Sequence, residues 1–227
     1  MSEQRTRERQ YQEQFDTLAE RGPVRLGPSA SHLWRSDPRH LVFMLARYKF
    51  CAKMLRGRAR VLEVGCGDGF GTRLVLQEVG FVQGVDFDPL YIEWAQAEAE
   101  RESLNCEFAE LDITQQAPPG SFDAAYALDI IEHIPADLEH QCLANICAAL
   151  EPHAACIVGT PNIASAPHAS KWSAEGHVNL KSADTLQELL EAHFSNVFVF
   201  SMNDEVVHTG YSPMAHYLMA LATGPKR

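Results

Sequence analysis

A short apolar run, Val61-Leu62-Glu63-Val64, breaks into glycines at positions 65, 67, 69 and 71, and this stretch leaves few folds open to the chain. Beyond it, Thr72-Arg73-Leu74-Val75-Leu76-Gln77-Glu78-Val79 resumes apolar residues at helical spacing. Strand, glycine turn and helix in that order form a cradle for a nucleotide-like ligand. Glycines let the backbone approach the ligand closely, and a helix N-terminus offers unpaired N–H groups.

The surrounding sequence repeats that alternation. Phe81 to Asp86 reads as a second strand ending in an acid, and Pro89 to Glu102 as a helix rich in Ala and Glu. Cys106 to Leu111 is a third strand with Asp112 just past its end. A Pro-Pro-Gly loop at 118–120 leads into a fourth strand, Phe122 to Leu128, then a helix from about Ala136 to Leu150 and a fifth strand from Ala154 to Gly159. Strands alternating with helices predict a doubly wound, mostly parallel α/β sheet. After a loop over 161–181 and a helix over 183–193, Asn196 to Ser201 and Glu205 to Thr209 flank a connection too short for a crossover. They are expected to close a seven-stranded sheet with an antiparallel hairpin. One domain is expected, made of an N-terminal helical segment (1–57), a ligand-binding core (58–210) and a C-terminal tail (211–227). From Tyr211 to Thr223 that tail is apolar enough for a packed helix or lid.

Ahead of the glycine stretch, Gly22-Pro23 and Gly27-Pro28 punctuate a loop, and Ser36-Asp37-Pro38 starts a helix running from His40 to about Leu55. Arg47, Tyr48 and Lys49 lie on that helix, and for these we favour a solvated face with a snorkelling aromatic.

With 227 residues the chain is long enough for one sizeable α/β core. No run approaches the roughly 18 consecutive apolar residues that span a bilayer, and the charged first ten residues do not resemble a signal peptide. No membrane insertion is expected, and the cytoplasm is the expected compartment. The net charge of −11 repels a phosphate backbone and argues against nucleic acid as a partner. The six cysteines include no CxxC pair and read as reduced thiols.

The identity of the ligand turns on the glycines and the acids together. The nicotinamide-dinucleotide fingerprint G-x-G-x-x-G, begun at Gly65, would need glycine at position 70, where Phe70 stands. Acids close the second, third and fourth strands as Asp86, Asp112 and Asp129, and Glu63 lies within the first. In an open α/β sheet the carboxyl ends of the strands bind the ligand. Four acids at that edge suit hydroxyls, an exocyclic amine and a cationic centre better than a pyrophosphate.

Val61 to Gly69 resembles the first motif of the class I S-adenosylmethionine-dependent methyltransferases. Gly84-Val85-Asp86-Phe87-Asp88-Pro89 is similar to their second, and Phe108 to Asp112 to their third. Phe122-Asp123 through Asp129-Ile130-Ile131-Glu132-His133-Ile134 is similar to their fourth, and Leu150-Glu151-Pro152-His153 through Gly159-Thr160-Pro161-Asn162 to their fifth, with His153 where family members often have glycine. The resemblance covers about residues 58–200. It implies S-adenosylmethionine as cofactor and S-adenosylhomocysteine as product, and it implies roles for individual residues. Gly65, Cys66 and Gly67 would line the methionine moiety with Glu63 behind them. Asp86 would hold the ribose hydroxyls and Phe87 would lie beside the adenine. Asp112 would accept from the adenine amine, with Ile113 packed on the ring, and Leu128 and Asp129 would sit near the methionyl group and sulfonium.

A sulfonium methyl is already electrophilic, so alignment and exclusion of water are the main tasks. A hydroxyl nucleophile also has a proton to lose. His133, one turn beyond Asp129, is the best-placed base in the sequence; its other reading is packing at a helix start. No histidines pair at a spacing typical of metal ligands, so no metal is expected. Gly176-His177-Val178-Asn179 resembles a segment of the O-methyltransferases of ubiquinone biosynthesis. Trp172 and His177, with His208 more weakly, are candidates for contact with a small-molecule or glycan-precursor acceptor; ordinary loop packing is the alternative. Methyl transfer to a hydroxyl oxygen is the leading expectation. Transfer to nitrogen, a cofactor-binding module without transfer and a nicotinamide-dependent dehydrogenase are the competing ones.

Overall fold

A computed structural model describes residues 5–226; residues 1–4 of the expected N-terminal segment and Arg227 of the expected tail lie outside the described residues. The N-terminal segment holds α1 (Gln12–Arg21), α2 (Pro28–Ser36) and α3 (Pro38–Met54). Then come β1 (Val61–Val64), α4 (Thr72–Val75), β2 (Val82–Asp86), α5 (Pro89–Glu102), β3 (Cys106–Glu110) and β4 (Phe122–Leu128). The second half contains α6 (Glu139–Ala149), β5 (Leu150–Pro161), α7 (Lys171–Gly176), α8 (Ala183–Glu191), β6 (Phe194–Asn203), β7 (Val206–His208) and β8 (Tyr217–Pro225). The strands form one sheet in the order β3-β2-β1-β4-β5-β8-β6-β7.

The first five strands run parallel, with Val61 paired to Val82 of β2 and to Ala124 of β4. All four residues of β1 are buried, as an apolar strand covered on both faces should be. Alternation divides its side chains between two cores. Leu62 and Val64 join Leu143 and Ile146 of α6 and Leu186 and Leu190 of α8 on one face. Val61 joins Cys51 of α3, Leu55 just past its end, Tyr126 and Met219 on the other. Polar caps define the helix starts. The Asp88 carboxylate accepts from the Leu90 amide ahead of Pro89, and Ser182 and Thr185 form a reciprocal capping box on α8. The six cysteines are free, and all but Cys106 are buried. Among the described residues no helix is long and apolar enough to cross a membrane.

Four expectations are corrected. The apolar tail is neither helix nor lid: β8 lies antiparallel between β5 and β6, with Ile157 opposite Leu221 and Phe198 opposite Leu221 on its other side. Its alternation of Tyr217 and Met219 with Leu218 and Ala220 sends side chains to both cores, which a helix could not do. The β6–β7 hairpin forms as expected but only extends the sheet edge, giving eight strands rather than seven. The Gly27-Pro28 punctuation opens a helix, α2, rather than a loop, with Pro28 at its first turn. The helix after the glycines is also shorter than its pattern, four residues rather than eight.

Candidate active site

The chain moves outward from β1 through β2 to β3, then returns to place β4 on the other side of β1. The carboxyl ends of β1 and β4 therefore flank the switch point where an open α/β sheet leaves a crevice. A cavity of about 490 Å³ lies there, lined among others by Gly65, Asp86, Phe87, Asp112, Ile113 and His133. Its size is within the ordinary range for a small-ligand or cofactor pocket. A second cleft of about 450 Å³, bordered by Gln96, Glu100 and Glu107, lies between α5 and β3, away from the glycine turn.

The glycine turn is held tightly at the cavity wall. Gly65 has φ 72°, and a Cβ there would fall 1.8 Å from the Ile130 side chain. The amides of Gly65 and Cys66 donate to the Val85 carbonyl, and the Gly67 amide donates to Asp86 Oδ2 at 2.9 Å. The other Asp86 oxygen accepts from the Asp88 amide at 3.0 Å, so one carboxylate orients both the turn and the entry to α5. Asp112 is exposed, and its Oδ1 accepts from the amide and hydroxyl of Thr114. Phe87 is 74% exposed at the mouth. Asp68, the next acid of the turn, is buried and accepts from the Ser29 amide at 2.9 Å, capping α2 from outside the helix.

Two of the four acids converge on the cavity; the other two do not line it. Glu63 is 1% exposed on the α3 face, where the Thr72 hydroxyl donates to it. Burial raises its carboxyl to about 7, against the hydrogen bond from Thr72, which favours the charged form. The folded protein thus holds this proton more tightly than the unfolded chain. Stability falls as pH rises from about 4.5 through about 7 and then levels. Glu63→Gln is expected to remove that fall. By thermal unfolding the variant should gain up to about 3 kcal/mol over the parent at pH 8, with the gap closing near pH 4.5.

Asp129 is engaged by Arg47, whose Nη1 donates to both carboxylate oxygens at 2.8 and 2.7 Å. The reading of Arg47 and Tyr48 as a solvated face is overturned. The Arg47 side chain is 8% exposed, and its guanidinium stacks 3.7 Å over the centroid of the buried Tyr217 ring. Burial opposes the Arg47 charge, but Asp129 outweighs it and raises the guanidinium further. The Tyr48 ring meets Tyr126 edge-on at 6.1 Å and lies under Gly71, where a Cβ would strike it at 2.1 Å. Both side chains answer partners on β4 and β8 that are remote in sequence, so local periodicity carries no sign of them. Asp129 itself takes a left-handed backbone, φ 57°, with its amide on the Gly159 carbonyl at 2.9 Å.

Cys66 is 3% exposed and packs with Ile92, Ala95 and Phe108, so only its backbone belongs to the turn; burial pushes its thiol well up. Leu128 is 6% exposed in the α3-side core, and Ile113 reaches the cavity wall. His208 is on β7, the outermost strand. Its Nε2 pairs with Asn203 Oδ1 and its Nδ1 accepts from the Gly210 amide, which occupies both ring nitrogens. Trp172, on α7, is 78% exposed.

His133 is exposed at the cavity rim, in a 3₁₀ turn over Ile131–His133, and its Nδ1 lies 3.0 Å from the Gly176 carbonyl. The carbonyl can only accept, so Nδ1 donates, and in the neutral ring the lone pair lies on Nε2. His177 packs edge-on against it, centroids 5.1 Å apart, and burial, then the neighbouring His133, lower its basicity. Glu132, which sequence reasoning passed over, is 1% exposed and accepts from the Thr160 hydroxyl at 2.9 Å. Burial and Asp129 raise its carboxyl.

A doubly wound sheet with a glycine turn, two acids and a cavity at its switch point defines a nucleotide-type cofactor fold. Residues 61–153 match the methyltransferase domain family. The chain is 31% identical over 120 residues to the ubiquinone biosynthesis O-methyltransferase of Coxiella burnetii, covering 51% of this chain and 49% of the relative. To its namesake in Xanthomonas campestris pv. campestris it is 27% identical over 127 residues, 53% and 52% of the two chains. It thus spans about half the length of the curated relatives it matches. The solved N-methyltransferase NodS from Bradyrhizobium japonicum, in complex with S-adenosylhomocysteine, superposes with TM-score 0.61 at 20% identity, covering 85% of this chain and 92% of that one. Residues 61–153 thus carry a class I S-adenosylmethionine-dependent methyltransferase domain, with distant homology to the ubiquinone O-methyltransferases.

Proposed function

We propose that this chain transfers the methyl group of S-adenosylmethionine to a hydroxyl oxygen of a small-molecule or glycan-precursor acceptor, releasing S-adenosylhomocysteine. The supporting observation is one cavity with Asp86 and Asp112 on its wall and His133 on its rim. Asp86 takes the ribose hydroxyls, Asp112 the adenine amine, and Phe87 and Ile113 flank the ring. The backbone of Gly65, Cys66 and Gly67 follows the methionine moiety, with Leu128 and Asp129 toward the sulfonium. Trp172 and His177 lie toward the acceptor. Oxygen attacks the methyl carbon, the carbon–sulfur bond breaks toward sulfur, and the hydroxyl proton leaves at His133, whose Nε2 lone pair is the basic atom at the rim.

Calorimetric titration separates this reading from its competitors. S-adenosylhomocysteine is expected to bind and NAD is not; the reverse overturns the assignment. Asp86→Ala should weaken S-adenosylhomocysteine binding by about 1–3 kcal/mol, because charged hydrogen bonds to the ribose are lost. Unchanged affinity would place the ribose elsewhere. Turnover on a panel of hydroxyl and amine acceptors decides between oxygen and nitrogen, and cofactor binding with no transfer to any acceptor would leave a binding module.

A further inference from the structure

Asp129 stands near the middle of the ligand-binding edge of the sheet, and the cavity lies to one side of it, against β1, β2 and β3. The other side is formed by β5, β8 and β6. β8 runs antiparallel to both neighbours, so its first residue, Tyr217, pairs with Pro161 at the end of β5 and with Met202 near the end of β6. His216, just ahead of Tyr217, thereby arrives at the edge where an open sheet binds its ligands. Facing it, His40, Phe43 and Arg47 follow one another at helical spacing along α3. The Phe43 ring centroid lies 6.3 Å from that of His40 and 6.2 Å from that of His216, which joins α3 to the start of β8. We infer that these three rings form the acceptor subsite, and that it takes an uncharged, hydroxyl-bearing ring of the sugar type.

The subsite is held by a fixed turn. Asn162, 2% exposed, donates from its side chain to the carbonyls of Ser212 at 2.8 Å and Ala215 at 2.9 Å, and its amide donates to the His216 carbonyl at 3.0 Å. From the β6 side Asn203 Nδ2 donates to the Met214 carbonyl at 3.2 Å. The rings also stand beside the reaction centre rather than on a remote surface. The Arg47 charge acts on both imidazoles, and that of Asp129 acts on His40.

Burial, then Arg47, lowers the basicity of His40 and of His216, so both rings are neutral near pH 7. A neutral imidazole offers one donor and one acceptor, and a hydroxyl can answer either. The face of Phe43 suits the C–H face of a saturated ring. An anionic acceptor fits badly here. The Arg47 guanidinium is taken by Asp129, and Arg39 by Asp37, which leaves Asp204, acting on His216, as the charge in excess. That the occupant is the methyl acceptor rests on the methyl-transfer reading; that these rings bind a sugar does not. A ring held there can turn one hydroxyl past Asp129 toward the cavity.

The test is an NMR titration of the full chain, with and without saturating S-adenosylhomocysteine, read on the imidazole resonances. The probes are the methyl α-glycosides of glucose, mannose and galactose, with catechol and glucose 1-phosphate as competing chemistries. At least one glycoside is expected to move the His40 and His216 signals saturably in the millimolar range. The signals of His140 and His193, which pair with each other away from this edge, should stay where they are. His40→Gln and His216→Gln assign the signals, and Phe43→Ala is expected to weaken glycoside binding about tenfold through the lost ring face. Movement by catechol or glucose 1-phosphate without any glycoside, movement by none of the probes, or glycoside binding that survives the Phe43→Ala/His216→Gln double variant overturns the subsite. Failure of S-adenosylhomocysteine to bind in the same samples would sink the methyl-transfer reading alone, since the glycoside titration without it still reports on the rings.

Discussion

Replacing Arg47 by methionine is expected to lower the free energy of unfolding by about 2–4 kcal/mol, the largest single effect among the charged residues near the site. Methionine keeps most of the apolar stem against Tyr217 but removes the donor to both Asp129 oxygens. Losing one member of a buried ion pair leaves the other uncompensated, at a cost of several kcal/mol when both are fully desolvated. Asp129 is 35% exposed, so water recovers part of that cost and the lower end of the range applies. The functional effect should be larger than the loss of stability. Asp129 keeps a left-handed backbone that a non-glycine residue adopts only when its surroundings hold it there. Denaturant titration gives the stability change and calorimetry the S-adenosylhomocysteine affinity. A variant as stable as the parent would show that the pair is dispensable.

Substituting Gly65 by alanine should all but abolish cofactor binding. Two costs combine. An alanine at φ 72° is in a region that costs L-residues about 1–2 kcal/mol. Its Cβ would also fall 1.8 Å from the Ile130 side chain, an overlap that forces one of them to move, with overpacking typically worth about 1–3 kcal/mol. Ile130 lines the cavity, so either displacement deforms its wall. The double variant Gly65→Ala/Ile130→Ala separates the terms. It should recover the steric part of the stability loss while the backbone part persists; no recovery would mean the clash is relieved elsewhere.

What could be read in advance divides along a physical line. β1, β2, α5 and β4 were legible because each element satisfies its own local rule: a buried apolar run, a carboxylate cap with proline after it, a strand bounded by turns. The glycine turn and Asp86 were legible for the same reason, since the turn and the acid that holds it are 19 positions apart across one βαβ unit. Arg47, Tyr48 and the meeting of His133 with His177 were not. Each depends on a partner brought in by the sheet order, and a single charged residue on a helix looks the same in sequence whether it faces water or a buried carboxylate. Glu63 shows the converse. Its presence was plain, but sequence alone placed it with the ligand-facing acids rather than beneath the turn. The tail misled because a run of Leu, Met and Ala favours a helix by propensity, while pairing with β5 and β6 on both sides overrode that preference.

The position of β8 also sets an order of assembly. Residues 61–161 contain every strand of the parallel half and can in principle pair as soon as they are available. The β6–β7 hairpin cannot join them, because the strand that connects β6 to β5 follows it in the chain. Until Tyr217–Pro225 is inserted, β5 and β6 both present open edges, the kind of surface on which unfinished chains associate with one another. Closure of the sheet is therefore a late, long-range event. Changes that weaken β8 should act on the yield of folded protein before they act on anything at the cavity.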